Sequence, residues 1–278
     1  MIAFDAHVHV YDRVAAAGPV RYLPSRPAPL SDWLGLLAAH DLIGGVIVQV
    51  SFLGTDNHIL LDTLERLDRR RFAGVAVVDL DSQPADLRAL AAGGIRGLRW
   101  NLVSGAPVPD PADGAVRAFL GRMRDAGLHL EIQLESHRIA PVLAPLAAAA
   151  GTLVIDHLGL VEAPDPDDEP WFRALAALPD GHGIHVKASA PYRSRVPVAA
   201  HLAWLAARLG PDRLIWGSDW PHTRHEHRAA YRGLLDQTAA RADDRTAMAT
   251  LYGLERPPQP RPAAPATSPA IDPANTNT

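Results

Sequence analysis

Phe4-Asp5-Ala6-His7-Val8-His9-Val10, near the start of the chain, alternates apolar and polar side chains with a period of two. That period marks a strand, on which residues two apart point the same way and sit roughly 7 Å apart. His7 and His9 are therefore expected on one face, and Phe4, Ala6, Val8 and Val10 on the other. Two neighbouring imidazoles can hold a metal or polarise a carbonyl oxygen. A strand with two incidental histidines reads the same way, so the weight of the pair depends on what the rest of the chain brings to it.

Working outward, a Gly- and Pro-containing loop over residues 12–30 carries Arg21 and Tyr22 and is long for a simple connection. Seven further apolar segments read as strands, at 44–50, 72–79, 95–102, 128–135, 152–159, 183–190 and 214–221. Helical segments alternate with them. The first opens at Ser31 as N-cap and runs to about 40; the next reaches about 68. Others cover 84–92, 114–125, 139–150, 170–178 and 198–209, the last stopped by Gly210-Pro211, and two more, at 226–240 and 243–252, close the domain. Eight strand–helix units predict parallel pairing, and eight such strands close a single-domain α/β (β/α)8 barrel. A doubly wound sheet is the alternative, but the Gly-rich phosphate loop usual after its first strand is missing. The domain is expected to cover residues 1–256. The Pro-rich remainder, 257–278, lacks the apolar mass to offset ordering entropy and is expected to be disordered.

Composition excludes several classes. The 278 residues are 47% hydrophobic, with Lys+Arg 27 against Asp+Glu 31 and a net charge of -4, so no nucleic-acid footprint is present. The absence of cysteine removes thiol chemistry and disulfides. Neither a signal peptide nor a membrane-spanning run is read, which leads to the expectation of a cytoplasmic protein with no membrane partner. Oligomeric state is not legible.

Barrel enzymes carry their chemistry at the carboxyl ends of the strands. Those ends here hold His7 and His9, then Gln49 and Ser51, Arg99 and Asn101, Gln133 and Glu135, His157, Lys187 and Ser189 with Arg193 just beyond, and Asp219. Each alone has a structural explanation, and Lys187 and Glu131 read best as residues that make structural pairs. Together they place imidazoles, a carboxylate and arginines at one mouth. His222, His225 and His227 follow the last strand, with His222 nearest the site.

Asp5-Ala6-His7-Val8-His9, Gly54-Thr55-Asp56-Asn57, Gly97-Leu98-Arg99-Trp100-Asn101, Ile155-Asp156-His157-Leu158-Gly159 and Trp216-Gly217-Ser218-Asp219-Trp220-Pro221-His222 together resemble the amidohydrolase superfamily. More narrowly they resemble its branch of 2-pyrone-4,6-dicarboxylate lactonases. The resemblance implies a distorted (β/α)8 barrel that hydrolyses a lactone ring, with His7, His9, His157 and Asp219 catalytic. It implies substrate contacts from Tyr22, Ser51, Arg99 and Arg193, and Asn101 and Gln133 join them as strand-end neighbours. It also implies that a metal, commonly zinc, is held in wider relatives by the first-strand histidines and the last-strand aspartate, whereas the pyrone lactonases work without one. Gly105 stands where that branch has a second arginine, and Gln133 where it has a tyrosine, so an altered, carboxylated lactone is expected as substrate.

The expected mechanism has Asp219 as general base toward water, imidazole N–H groups of His7, His9 and His157 polarising the carbonyl, and Arg99 and Arg193 fixing the substrate. A closed two-metal site lacks ligands, since Arg99 cannot ligate and strand five offers Gln133. The expectation is no obligatory cofactor, or else one zinc on His7, His9 and Asp219, with or without His157. A zinc-dependent decarboxylase, a lactone isomerase and a non-catalytic binding protein are the alternatives.

Overall fold

The computed structural model describes residues 2–18, 20, 22–238 and 244–255; Arg21 and the tail expected over 257–278 lie outside them. The strands are β1 (Phe4–Val8), β2 (Gly44–Val48), β3 (Phe72–Ala76), β4 (Ile95–Asn101), β5 (His129–Gln133), β6 (Leu153–Ile155), β7 (Ile184–Ser189) and β8 (Leu214–Gly217). They pair in sequence order and all in parallel. The helices between them are α1 (Leu30–Ala39), α2 (His58–Glu65), α3 (Pro84–Ala92), α4 (Gly114–Asp125), α5 (Ser136–Ile139), α6 (Leu143–Ala150), α7 (Pro170–Ala176) and α8 (Ala199–Leu209); α9 (Tyr231–Thr238) and α10 (Asp244–Tyr252) follow β8. This is the expected (β/α)8 barrel. None of the described helices is long and apolar enough to cross a membrane.

The seam between β8 and β1 closes just past the strand ends. The Asp219 N–H donates to the His7 carbonyl and the His9 N–H to the Trp220 carbonyl, each at 2.8 Å. A Cβ on Gly217 would lie 2.7 Å from the His7 Cβ, so β8 can pass this close to β1 only as glycine. Asp5 ties the same seam from behind. Its carboxyl accepts from the Ser218 N–H (2.8 Å), the Ser218 hydroxyl (2.6 Å) and the Tyr231 hydroxyl (2.7 Å).

Alternation sorts most strand residues into two layers. Leu98, Trp100, Leu130, Ile132, Leu153, Ile155, Val186 and Ala188 pack outward with the helices. Val46, Val48, Ala73, Val75, Val154 and Ile215 form an inner apolar plug with Leu251 and Tyr252 of α10. β1 breaks the alternation expected of it. Phe4 and Ala6 belong to the inner plug, whereas Val8 and Val10 belong to the outer layer. The register with β2 shifts between Asp5 and Val8, and this bulge inserts one extra residue. His7 and His9 thus follow Phe4 and Ala6 on the inner side instead of opposing them.

Three local expectations change. α1 starts one residue before Ser31, with Pro29 as N-cap, and the Ser31 hydroxyl turns to Asp32 instead of capping the helix. The segment expected as one helix over 139–150 is two, α5 and α6, interrupted around Pro141, which has no N–H to donate back into a helix. β6 ends at Ile155, and residues 156–159 turn sharply, with His157 at φ 52° and Leu158 at φ 59°.

Candidate active site

Strands β1, β6 and β8 deliver four side chains to one small volume at their carboxyl ends. Asp219 Oδ1 lies 3.8 Å from the Nε2 atoms of His7, His9 and His157 alike. The rings of His7 and His9 meet edge-on with centroids 5.2 Å apart, and those of His7 and His157 sit 4.6 Å apart. Neither Asp219 Oδ1 nor His7 Nε2 has a hydrogen-bond partner among the described residues, although both are buried. Buried polar atoms are normally satisfied, so two orphans facing each other ask for something between them.

Each member is held by its other end. Asp219 Oδ2 accepts from the Tyr192 hydroxyl and from Arg193 Nε, both at 2.7 Å, which leaves Oδ1 for the site. His9 Nδ1 lies 2.8 Å from the Val48 carbonyl oxygen, which can only accept; Nδ1 therefore carries the proton and Nε2 presents a lone pair. This corrects the expectation that His9 offers an N–H to the substrate carbonyl. His157 Nδ1 pairs with the Ser189 hydroxyl at 2.8 Å. The left-handed turn that aims His157 is locked by Trp171, whose Nε1–H donates to the Leu158 carbonyl at 3.2 Å and whose ring leaves no room for a Cβ on Gly159. Asp219 is itself left-handed at φ 59°. Strained non-glycine residues of this kind persist only where the surroundings hold them.

His7 Nδ1 reaches down to a second, fully buried layer, 3.3 Å from Lys187 Nζ and 3.4 Å from Asp156 Oδ1. Lys187 Nζ pairs with Glu131 Oε2 at 2.5 Å, and Arg99 Nε with Asp156 Oδ2 at 2.7 Å. The Lys187–Glu131 pair is the structural pair expected. Tyr252 donates its hydroxyl to the other Glu131 oxygen at 2.7 Å.

Burial and charge set the ionisation of the site. Burial lowers His7 and His9 to about 4, against the pull of Asp156 and Asp219 respectively, so both rings are neutral at pH 7. His157 is likewise held well below the usual histidine range, by burial above all. Burial pushes the Asp219 carboxyl up, but Arg193 and the three imidazoles outweigh it and hold it well below its ordinary value. The result is one fixed carboxylate among three neutral imidazoles.

Above the four residues opens a cavity of about 140 Å³ lined by His9, His157, Asp219, Tyr22, Ser51, Arg99, Asn101, Gln133 and Arg193. Every substrate-contact residue expected from sequence thus borders it; His7 lies beneath. Two of them also have partners within the protein. Arg99 spends Nε on Asp156 and Nη2 on Gln133 Oε1, at 2.6 Å, because it belongs to the buried ion layer. Arg193 spends Nε on Asp219. The pair of open guanidinium forks expected for a dicarboxylate is therefore not presented. Gln49 is occupied too, its amide donating to the Asp56 carbonyl at 2.6 Å.

Sequence reasoning missed Tyr192, Thr223 and Arg224. Tyr192 lies past the end of β7, next to the arginine that was singled out, and its signal was that adjacency. Thr223 and Arg224 line the cavity from the segment after β8. His222 Nδ1 sits 3.2 Å from the Tyr192 hydroxyl and the His225 ring 4.9 Å from the Tyr192 ring, so these two histidines support Tyr192 from outside the cavity.

The donor set fits a single divalent cation. His7, His157 and Asp219 offer ligand atoms within 4.8 Å of one another, and the His9 lone pair is aimed at Asp219 by a backbone carbonyl, as ligating histidines usually are.

The model of the family described as Amidohydrolase matches residues 4–253. A 4-sulfomuconolactone hydrolase from Rhizobium radiobacter is 30% identical over 237 residues, which is 80% of this chain and 76% of the relative. A 2-pyrone-4,6-dicarboxylate hydrolase from Comamonas testosteroni is 27% identical over 257 residues, 84% of this chain and 81% of the relative. Among solved structures, a Pseudomonas putida protein assigned as a 2-pyrone-4,6-dicarboxylic acid hydrolase superposes with a TM-score of 0.74 at 33% identity, covering 90% of this chain and 94% of its own. With a match that spans all eight strands and relatives aligned over most of their length, the chain belongs to the amidohydrolase family, on its branch of lactone hydrolases.

Proposed function

We propose that the protein opens a small lactone by hydrolysis, with Asp219 as general base and His7, His9 and His157 forming the floor against which the ester carbonyl is held. The observation that carries this reading is Asp219 Oδ1: buried, unpartnered among the described residues, and equidistant from three imidazole nitrogens beneath an open cavity. A water beside Oδ1 gives up a proton to it as its oxygen attacks the ring carbonyl carbon. The ring C–O bond then breaks, and the same carboxyl returns the proton to the departing ring oxygen. Tyr192 and Arg193, by engaging Oδ2 alone, orient Oδ1 for both transfers. A low Asp219 pKa keeps the base ionised at neutral pH, and neutral imidazoles leave a nitrogen lone pair or N–H free at the floor.

His7, His9, His157 and Asp219 would together hold a divalent cation, which when bound supplies Lewis-acid polarisation of the carbonyl and a more acidic water. The family likeness to lactone hydrolases supports the substrate class, and the loss of two open arginine forks supports a substrate different from a planar dicarboxylate.

The test is a screen of sugar-derived and carboxylated lactones followed by proton release, with and without a chelator. Acid formed without CO2 is the expected result. Release of CO2, or a shifted lactone with no acid formed, would replace hydrolysis by decarboxylation or isomerisation.

A further inference from the structure

Four charged side chains line the cavity: Arg99, Arg193, Arg224 and Asp219. Arg99 is neutralised by Asp156 and Arg193 by Asp219. Arg224 differs from both. Among the described residues its guanidinium has neither ion pair nor hydrogen bond, and its recorded contact is the Tyr22 ring, 5.8 Å from the guanidinium carbon. Stacking on an aromatic face holds a guanidinium in place while leaving its N–H groups open. Across the mouth, four strands away, stands Asn101 at the end of β4. Its Oδ1 is buried without a hydrogen-bond partner among the described residues. An amide oxygen only accepts, so it is satisfied by a hydroxyl and repelled by a carboxylate.

We infer that Arg224, seated on Tyr22, is the specificity-determining residue for one anionic substituent of the substrate, while Asn101 takes a hydroxyl on the opposite side. The substrate class is then the monolactone of a hydroxylated diacid, with one free carboxylate. This rests on the lactone-hydrolysis reading and narrows it. The charge balance carries it: one unpaired cation on the cavity wall matches one anion.

The experiment compares kcat/KM for D-glucaro-1,4-lactone (one carboxylate), D-galactono-1,4-lactone (neutral) and 2-pyrone-4,6-dicarboxylate (two), in the wild type and in Arg224→Gln. A charge-assisted contact predicts that the acid lactone exceeds the neutral one by about 10- to 100-fold, and that Arg224→Gln, mainly through KM, collapses this ratio toward one. Arg224→Lys is expected to restore part of it. Arg224 is exposed, so these variants fold. A ratio unchanged in Arg224→Gln, or a wild type that prefers the dicarboxylate, overturns the assignment. If no lactone opens at all, the hydrolysis reading has failed, and the anion site is judged separately by calorimetry with tetrahydropyran-2-carboxylate. Binding lost in Arg224→Gln upholds the site; equal binding, or none to either protein, overturns it.

Discussion

Two ionisable clusters are stacked inside this barrel, one strand step apart. The lower one, Arg99, Glu131, Asp156 and Lys187, has two cations and two carboxylates, every one within ion-pair distance of an opposite charge. The upper one, His7, His9, His157 and Asp219, has a single carboxylate whose counter-ion, Arg193, comes from the rim. In the lower cluster charge is neutralised inside the cluster. In the upper, burial has stripped the imidazoles of charge and left Asp219 Oδ1 and His7 Nε2 without a hydrogen-bond partner among the described residues. Both clusters are buried and polar, and each holds a carboxylate oxygen without such a partner, Asp156 Oδ1 below and Asp219 Oδ1 above. What separates them is that Asp156 Oδ1 still has the Lys187 cation 3.4 Å away, whereas Asp219 Oδ1 faces neutral imidazoles and the open cavity. His7 touches both, with Nδ1 among the lower ions and Nε2 at the upper floor.

That contrast is broken most sharply by removing one member from each cluster. Asp219→Asn keeps an acceptor for Tyr192 but removes the base, and kcat should fall by about 10³-fold, within the range seen for general bases. Binding of the acid produced by hydrolysis should change far less. Steady-state kinetics and calorimetry on the same preparation check this, and a variant retaining a tenth of wild-type activity would take the base role away from Asp219.

Lys187→Met should do the opposite. It leaves Glu131 and Asp156 buried without their shared cation, and breaking such a pair costs about 3–5 kcal/mol. The denaturation midpoint should drop accordingly, and the double change Lys187→Met with Glu131→Gln should recover much of it by removing both charges. If Lys187→Met is as stable as the wild type, the lower layer is not the structural element its pairing indicates.

The strand periods were enough to read eight strands, and the rule that barrel sites gather at strand ends put the four floor residues among the candidates; the family resemblance singled them out. What they could not supply is of three kinds. The β1 bulge is invisible because the alternation of Phe4 to Val10 is regular in spelling; only pairing with β2 shows that Ala6 and His7 share the inner side. The partners of Arg99 and Arg193 were hidden because an arginine at a strand end looks the same whether it faces substrate or Asp156. Tyr192 and Arg224 escaped because they follow the strands instead of ending them, and loop residues carry no period. The break at Pro141, by contrast, was written in the sequence, because proline brings no N–H to a helix interior.

The smallest expected effect tests how the upper cluster is tuned. Tyr192 donates its hydroxyl to Asp219 Oδ2 at 2.7 Å, beside the Arg193 Nε that shares the same oxygen. Tyr192→Phe removes one of two anchors, so the loss is that of one hydrogen bond, about 1 kcal/mol, or a roughly three- to tenfold lower kcat. The pH profile distinguishes anchoring from mere packing. A donor to a carboxylate favours its ionised form, so deleting it raises the Asp219 pKa, and the acid limb of kcat/KM moves to higher pH once that pKa passes the value of about 4 at which His7 and His9 gain protons. In the wild type that limb belongs near pH 4, because His7 and His9 gain protons only at about 4 and Asp219 lies well below its ordinary value. The same depressed histidines predict that stability is full above about pH 6.5, where the unfolded rings are neutral too, and declines as pH falls toward 4 and the unfolded chain takes up protons first. A wild-type limb near 6.5 would mean solvated, ordinary imidazoles and would erase the difference between the two clusters. A limb near 4 that does not shift in Tyr192→Phe would mean that His7 and His9 set it in both proteins and that Arg193 suffices to keep Asp219 ionised below it.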